Sequence, residues 1–278
     1  MELSQKDLDW WHGLDKVWQL VFMLHLYYPG EVGMSYYKDD FLHSHRLNLD
    51  NLTEYKDILK IKALKHIDFQ SWIGDYKIKD LRPLLALQQL EFLSLEEHGF
   101  SDISLLAQLP NLKKLYVSRN NIKDFSVLAE LPNLERLAIT GNPIAGPFDL
   151  KLISKCRKLQ YLDAENYQIK DLSPLRSLRQ MRELLLGDNR IFDISVLFNM
   201  TQLERLDLHG NHVFDISPLI HLSRLEDLNL ADNGNEFERF YLFEMMQSLQ
   251  KLNVEGNGLS EANRRWLTRA LPRCEIKI

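Results

Sequence analysis

The chain has 278 residues, 45% hydrophobic and 26% charged, and its 34 basic and 39 acidic residues leave a net charge of −5. Such a composition is that of an ordinary soluble globular protein, and the modest negative charge excludes a general binder of nucleic acid or of anionic membranes. Two cysteines, Cys156 and Cys274, make no C-x-x-C or metal-like spacing and read as small apolar residues in a reducing compartment.

The opening M-E-L-S-Q-K-D-L-D-W-W has no basic region ahead of an apolar core, so it does not read as an export signal. The apolar run from Val17 to Tyr28 is interrupted by Gln19 and His25 and is too short to span a bilayer. Ser4 and Asp7 are spaced as a capping box for a first amphipathic helix with Leu8, Trp10, Trp11 and Leu14. A second helix, with Val17, Trp18, Leu20, Val21, Phe22 and Leu24, ends at Tyr27-Tyr28-Pro29-Gly30. Residues 1–45 are therefore predicted to be a helical cap over the open end of a repeat array.

Residues 46–258 carry that repeat. Leu47-Asn48-Leu49 reads as a degenerate first strand, Tyr55 to Lys65 as its helical return, and Leu64-x-x-Ile67-x-Phe69 opens a clearer unit with extra residues around Trp72 to Tyr76. From there the first apolar positions fall at Leu90, Leu112, Leu134, Leu159, Met181, Leu203, Leu225 and Leu249, in steps of 22, 22, 25, 22, 22, 22 and 24 residues. Each unit begins L-x-x-L-x-L, which alternates like a short strand, and continues with apolar residues nearly every third position, like a tight helical turn. A unit of one strand and one turn cannot bury its apolar side alone, so copies must stack.

Asparagine recurs at the ninth position (Asn120, Asn142, Asn189, Asn211, Asn233, Asn257), where its amide can serve backbone groups of adjacent coils. Tyr167 and His98 interrupt that series, and local irregularity is expected there. Asp80, Asp102, Asp124, Asp171, Asp193 and Asp215 recur before the return turn and read as caps rather than catalytic acids. Pro174 and Pro218 suit the first turn. The 25-residue step contains an insertion at Pro143 to Asp149, and Asn235 to Ser248 reads as a longer true helix. Residues 259–278 are predicted to be a closing cap: a helix from Ser260 to Ala270 with Trp266 and Leu267 inward, then a last strand whose Lys277 protects the edge.

Alternation along the strands turns the third, fifth, seventh and eighth positions of each unit toward the open face of the sheet. The units at Leu112 and Leu134 thus display Lys114, Tyr116, Arg119 and Arg136, three bases without an acid. The next four display Tyr161, Asp163 and Glu165; Glu183 and Asp188; Arg205, Asp207 and His209; and Asp227 and Asp232, seven acids against Arg205. Together these residues are the candidate partner-binding site, basic early and acidic late. Like charges on adjacent strands repel at about 5 Å, which points to a basic partner segment or a bound cation. Tyr116 and Tyr161 are the candidate anchors.

Enzyme readings find no support: there is no G-x-x-x-x-G-K-[ST], G-x-S-x-G, H-E-x-x-H or zinc-like spacing. The close histidine pairs, His43 with His45 and His209 with His212, lack a third ligand and read as surface histidines, so no metal, cofactor or catalytic residue is expected.

The pattern L-x-x-L-x-L-x-x-N-x-I-x-D-[IL]-x-x-L-x-x-L, recurring over about residues 64 to 278, resembles the 22-residue class of leucine-rich repeats. That class includes bacterial internalins and the regulatory repeat subunit of protein phosphatase 1. The opening W-W-H-G-L-D-K-V-W-Q-L-V-F also resembles a segment ahead of the repeats in some bacterial cytoplasmic proteins. The resemblance implies an α/β repeat solenoid: a curved horseshoe with a concave parallel sheet, a convex side of short 3₁₀ or helical turns, and caps at both ends. It further implies a non-enzymatic, cytoplasmic, bacterial scaffold for protein–protein interaction. Expected partners are a protein or peptide with a basic segment, with no nucleic acid, no membrane and a monomeric chain. A regulatory or inhibitory enzyme subunit, or an effector- or immunity-type binder, is the alternative, as is a functional module in the aromatic N-terminus.

Overall fold

The computed structural model describes residues 4–27, 56–68, 78, 80–143, 145–234 and 237–278. Leu47 to Leu49, His43, His45 and the stretch from Trp72 to Tyr76 lie outside them. Each apolar pulse folds as one coil. Its L-x-x-L-x-L opening contributes a three-residue strand, so that the sheet reads β1 (His66–Asp68), β2 (Phe92–Ser94), β3 (Lys114–Tyr116), β4 (Arg136–Ala138), β5 (Tyr161–Asp163), β6 (Glu183–Leu185), β7 (Arg205–Asp207), β8 (Asp227–Asn229), β9 (Lys251–Asn253) and β10 (Glu275–Lys277). All ten are parallel and each pairs with its sequence neighbours in an unbroken register.

The central residue of each strand faces inward. Leu115, Leu137, Leu162, Leu184, Leu206 and Leu228 are 0% exposed, and they join the leucines at the first and sixth positions in one continuous core. The return path runs through 3₁₀ turns, as at Ser104–Gln108, Ser173–Ser177 and Ser217–His221. Each is entered as expected: the Oδ1 of Asp102, Asp124, Asp171, Asp193 and Asp215 accepts the backbone N–H two residues on, at 2.7–2.9 Å. Pro174 and Pro218 occupy the first turn, where no intrahelical N–H is lost. A turn is wider than a strand, and strands sit only about 4.8 Å apart. The turn side therefore splays and the sheet becomes the concave face of a solenoid.

The asparagine series stitches neighbouring coils. Asn211 Nδ2 donates to Leu186 O and Leu208 O at 2.9 and 3.0 Å, while its Oδ1 accepts from Ile191 N–H at 2.9 Å. Asn120, Asn142, Asn189 and Asn233 repeat this bridge. At Tyr167 the phenol takes over: its hydroxyl donates to Ile139 O and accepts from Asn142 N–H at 3.3 Å, and the ring packs 5.6 Å from Phe148 of the insertion. The expected irregularity is present there, since Gln168 adopts a left-handed φ of 53°. The same holds at His98, where Gly99 follows with a left-handed φ of 77°.

Two helices, α1 (Gln5–His12) and α2 (Lys16–Tyr27), sit on the first coils together with α3 (Lys56–Lys62). The Asp7 carboxylate accepts from Ser4 N–H and Oγ–H at 2.8 and 2.6 Å and pairs with Lys62 of α3. Trp11, Trp18 and Phe22 are buried in the common core, and Trp18 Nε1 donates to Asp80 O at 2.9 Å. At the other end α4 (Glu261–Ala270) is capped by Ser260 and buries Leu267, and Trp266 packs 5.4 Å from Phe240 before β10 closes the sheet.

The long helix expected over Asn235 to Ser248 is not formed. Among its described residues the regular part is a six-residue 3₁₀ turn, Phe240–Met245, entered through Arg239 in the left-handed region. Glu238 N–H donates to Phe214 O at 2.7 Å, and the Asp215–Glu238 bridge keeps the approach extended. Phe237, Phe240, Phe243 and Met246 then all point into the core. Tertiary burial overrides a helical propensity that the aromatic residues support only weakly.

Candidate functional site

The third-position residues form one continuous row across the sheet: His66, Phe92, Lys114, Arg136, Tyr161, Glu183, Arg205, Asp227, Lys251 and Glu275. Beside it the fifth positions run from Asp68 and Ser94 through Tyr116, Ala138, Asp163, Leu185, Asp207, Asn229 and Asn253 to Lys277. Strand geometry thus brings Lys114, Tyr116, Arg136, Tyr161, Asp163, Glu183, Arg205, Asp207 and Asp227 onto one face. Glu165 and His209 follow their strands at the seventh position and are half-buried.

The eighth-position residues behave differently. Arg119, Asp188 and Asp232 have φ of 55°, 52° and 54°, and Glu97 and Asn166 share that left-handed conformation. Only positions three to five are strand, so alternation does not extend to the eighth. The chain turns there, and these three side chains are exposed beyond the end of the strands. Gly141, Gly210 and Gly256 occupy the same place with φ of 79°, 62° and 73°, where glycine carries no Cβ penalty.

The early half is built on aromatics. His66 stacks on Phe92 with ring centroids 3.8 Å apart, Phe92 lies 5.5 Å from Tyr116, and Tyr116 lies 6.3 Å from Tyr161. Arg136 joins them: its guanidinium carbon is 4.2 Å from the Tyr161 ring, its Nε donates to Tyr116 Oη at 2.9 Å, and it pairs with Glu183 at 3.0 Å. Burial pushes the Tyr161 phenol well above its usual range, with the Asp163 charge adding to it. His66 and Phe92 were not among the sequence candidates. The same column rule applied to the units at Leu64 and Leu90 finds both.

The centre is acidic. Burial raises the pKa of Asp163 against the hydrogen bond from Thr140. Burial and the nearby charges of Asp163 and Asp207 raise that of Glu165. Glu96, one coil ahead of β3, is also raised by burial. For His209, burial opposes the charged form, but the hydrogen bond to Asp207 Oδ1 (2.7 Å) and the acids around it outweigh that and raise its pKa. The polarity is therefore not simply basic early and acidic late. Arg119 pairs with Glu97 at 2.7 Å, and Glu96 brings the acidic centre into the early half. The late half alternates in sign, with Arg205 3.6 Å from Asp227 and then Lys251 and Glu275. Arg205, Asp207, Asp227, Asn229, Lys251 and Asn253 line an open groove of about 240 Å³.

Residues 88–130 and 110–151 each match the family model for leucine-rich repeats in two copies, and the stacked coils continue that pattern to the end of the chain. The chain is a leucine-rich-repeat protein. Its repeats are similar to those of two internalins from Listeria monocytogenes. With InlF it shares 27% identity and a TM-score of 0.66 over 79% of this chain and 63% of that one, so it spans less than two thirds of InlF. With InlC2 it shares 26% identity and a TM-score of 0.59 over 69% of this chain and 83% of that one. The plant peptide hormone receptor RGFR1, solved in complex with RGF2, has the same fold at 18% identity and a TM-score of 0.52, over 73% of this chain and 38% of the receptor. No curated relative matches the sequence. Repeat folds of this kind commonly mediate protein–protein interaction. No helix among the described residues of this repeat protein is long and apolar enough to cross a membrane.

Proposed function

We propose that this repeat protein is a non-enzymatic binding module that receives a protein or peptide along its concave face between Lys114 and Asp232. The observation that carries the reading is the crowding of half-buried acids, Asp163, Glu165 and Asp207, beside the row from Phe92 to Tyr161. Burial and the charges of neighbouring acids disfavour the charged form of Asp163 and Glu165. A basic segment of a partner would relieve that repulsion, and the aromatic row would supply apolar contact area and a hot spot around Tyr116, Arg136 and Tyr161. The leucine interior holds the coils together, so recognition falls to outward-facing side chains such as those of the concave row.

Charge reversal at Asp163 and Asp227 tests this, because neither holds the core together. The double variant Asp163→Lys/Asp227→Lys is expected to weaken an affinity-captured partner by about tenfold or more, mainly through faster dissociation. Its melting temperature should stay close to that of the parent. Unchanged affinity would remove the concave face from the proposal.

A further inference from the structure

Three successive coils place Glu165, Gly187 and His209 side by side at the seventh position, next to Asp163, Leu185 and Asp207 at the fifth. Gly187 leaves a gap in that row, and the His209 imidazole fills it. A Cβ at Gly187 would lie 2.0 Å from His209 Cε1 and 2.3 Å from its Nδ1. Only because residue 187 lacks a side chain can the ring lean across the intervening coil toward Glu165. One donor atom from each of Glu165, Asp207 and His209 lies within 4.8 Å of the others. No hydrogen bond or ion pair engages the Glu165 carboxylate among the described residues.

We propose that Glu165, Asp207 and His209 bind one divalent transition-metal ion, of the class that accepts mixed imidazole and carboxylate donors. The proposal shares Glu165 and Asp207 with the proposed partner-binding face, but its test reads metal binding alone. Donor atoms around such an ion sit about 2.0–2.2 Å from it, so side-chain rotations on the order of 1 Å close the triad. The surroundings would orient the ligands as outer partners do in metal sites. Asn229 Nδ2 donates to Asp207 Oδ2 at 3.0 Å, and His209 Nε2 lies 3.5 Å from Asp188 Oδ2. An ion entering between His209 Nδ1 and Asp207 would leave Nε2–H to Asp188. The pairing of His209 with His212 considered from sequence is not the site: His212 is exposed and outside the triad. The other donors are Asp207 and, 42 residues before it, Glu165.

The test uses the full chain, freed of metal by a chelator and titrated with Co²⁺ followed by visible absorption and with Zn²⁺ by calorimetry. One equivalent should bind, with cobalt ligand-field bands. His209→Ala and Glu165→Gln should each weaken binding by about tenfold or more. Gly187→Ala keeps every donor and all the charge but pushes the ring away, and should weaken binding to a similar degree. Glu226→Gln, at an exposed acid outside the candidate site, should bind as the parent does. Absence of the bands overturns the proposal, as does weak multi-equivalent binding that folded His209→Ala and Glu165→Gln retain, which would mark diffuse attraction to an acidic face. Circular dichroism establishes that each variant is folded, and the two ligand variants decide the matter if Gly187→Ala is not.

Discussion

At Asn211 a single amide closes the backbone groups of two coils at once. Its loss would leave Ile191 N–H, Leu186 O and Leu208 O without these bonds in an interior where Asn211 itself is 2% exposed. Each unsatisfied buried group costs about 1–3 kcal/mol. Asn211→Leu, of similar volume, is therefore expected to destabilise the chain by about 3 kcal/mol or more, measured by urea unfolding. Asn133→Leu, at a site whose hydrogen bonds are solvent-exposed, should cost far less. The recurrence of asparagine every 22 residues made this role readable beforehand. The takeover by Tyr167 was not readable, because it depends on how far the Pro143 to Asp149 insertion displaces one coil from the next. The left-handed turn at Arg119, Asp188 and Asp232 was hidden for a related reason. Glycine occupies that place in only some units, and the other units adopt the same backbone with a side chain that does not favour it.

Among the elements, the joint between α2 and β1 has a property of its own. His25 lies between them, with its Nδ1 2.8 Å from Val21 O and its Nε2 accepting Asp68 N–H at 2.8 Å. That arrangement uses the neutral ring, and burial lowers the His25 pKa. His66, whose ring is 6.4 Å away, is lowered by burial in the same direction, against the nearby Asp68 charge. The unfolded chain takes up these protons near pH 6.5 while the folded chain resists them. The stabilisation is complete above that pH and is lost as pH falls below it toward the depressed folded values. The melting temperature is expected to drop between pH 7.5 and 5.5, and His25→Gln, which keeps one donor and one acceptor, should flatten the drop. An equal slope in that variant would place the titration elsewhere. The helices and Asp-capped turns were legible because their signals are local. The segment from Asn235 to Ser248 misled because its aromatic spacing suits a helix, whereas the neighbouring coil demands a short turn.

For the molecule as a whole, stability runs from coil to coil, so an end coil cannot be removed without uncovering core. Deleting residues 259–278 would expose Leu252 and Val254, each 1% exposed, and would strip Trp266 from Phe240. The truncated chain is expected to self-associate, seen as a larger sedimentation coefficient at micromolar concentration, whereas an unchanged monomer would argue that the last helix and strand cover nothing essential. Period, strand-and-turn alternation, the inward leucines and the outward columns were all determined by the amino-acid sequence, because each depends on spacing within a coil. The acidic centre reaching forward to Glu96, the aromatic row joined by Arg136, and the triad of Glu165, Asp207 and His209 across Gly187 came only from the folded chain. They depend on which side chains of different coils meet, and that is settled by the register of stacking and by the gap one glycine leaves between two neighbours.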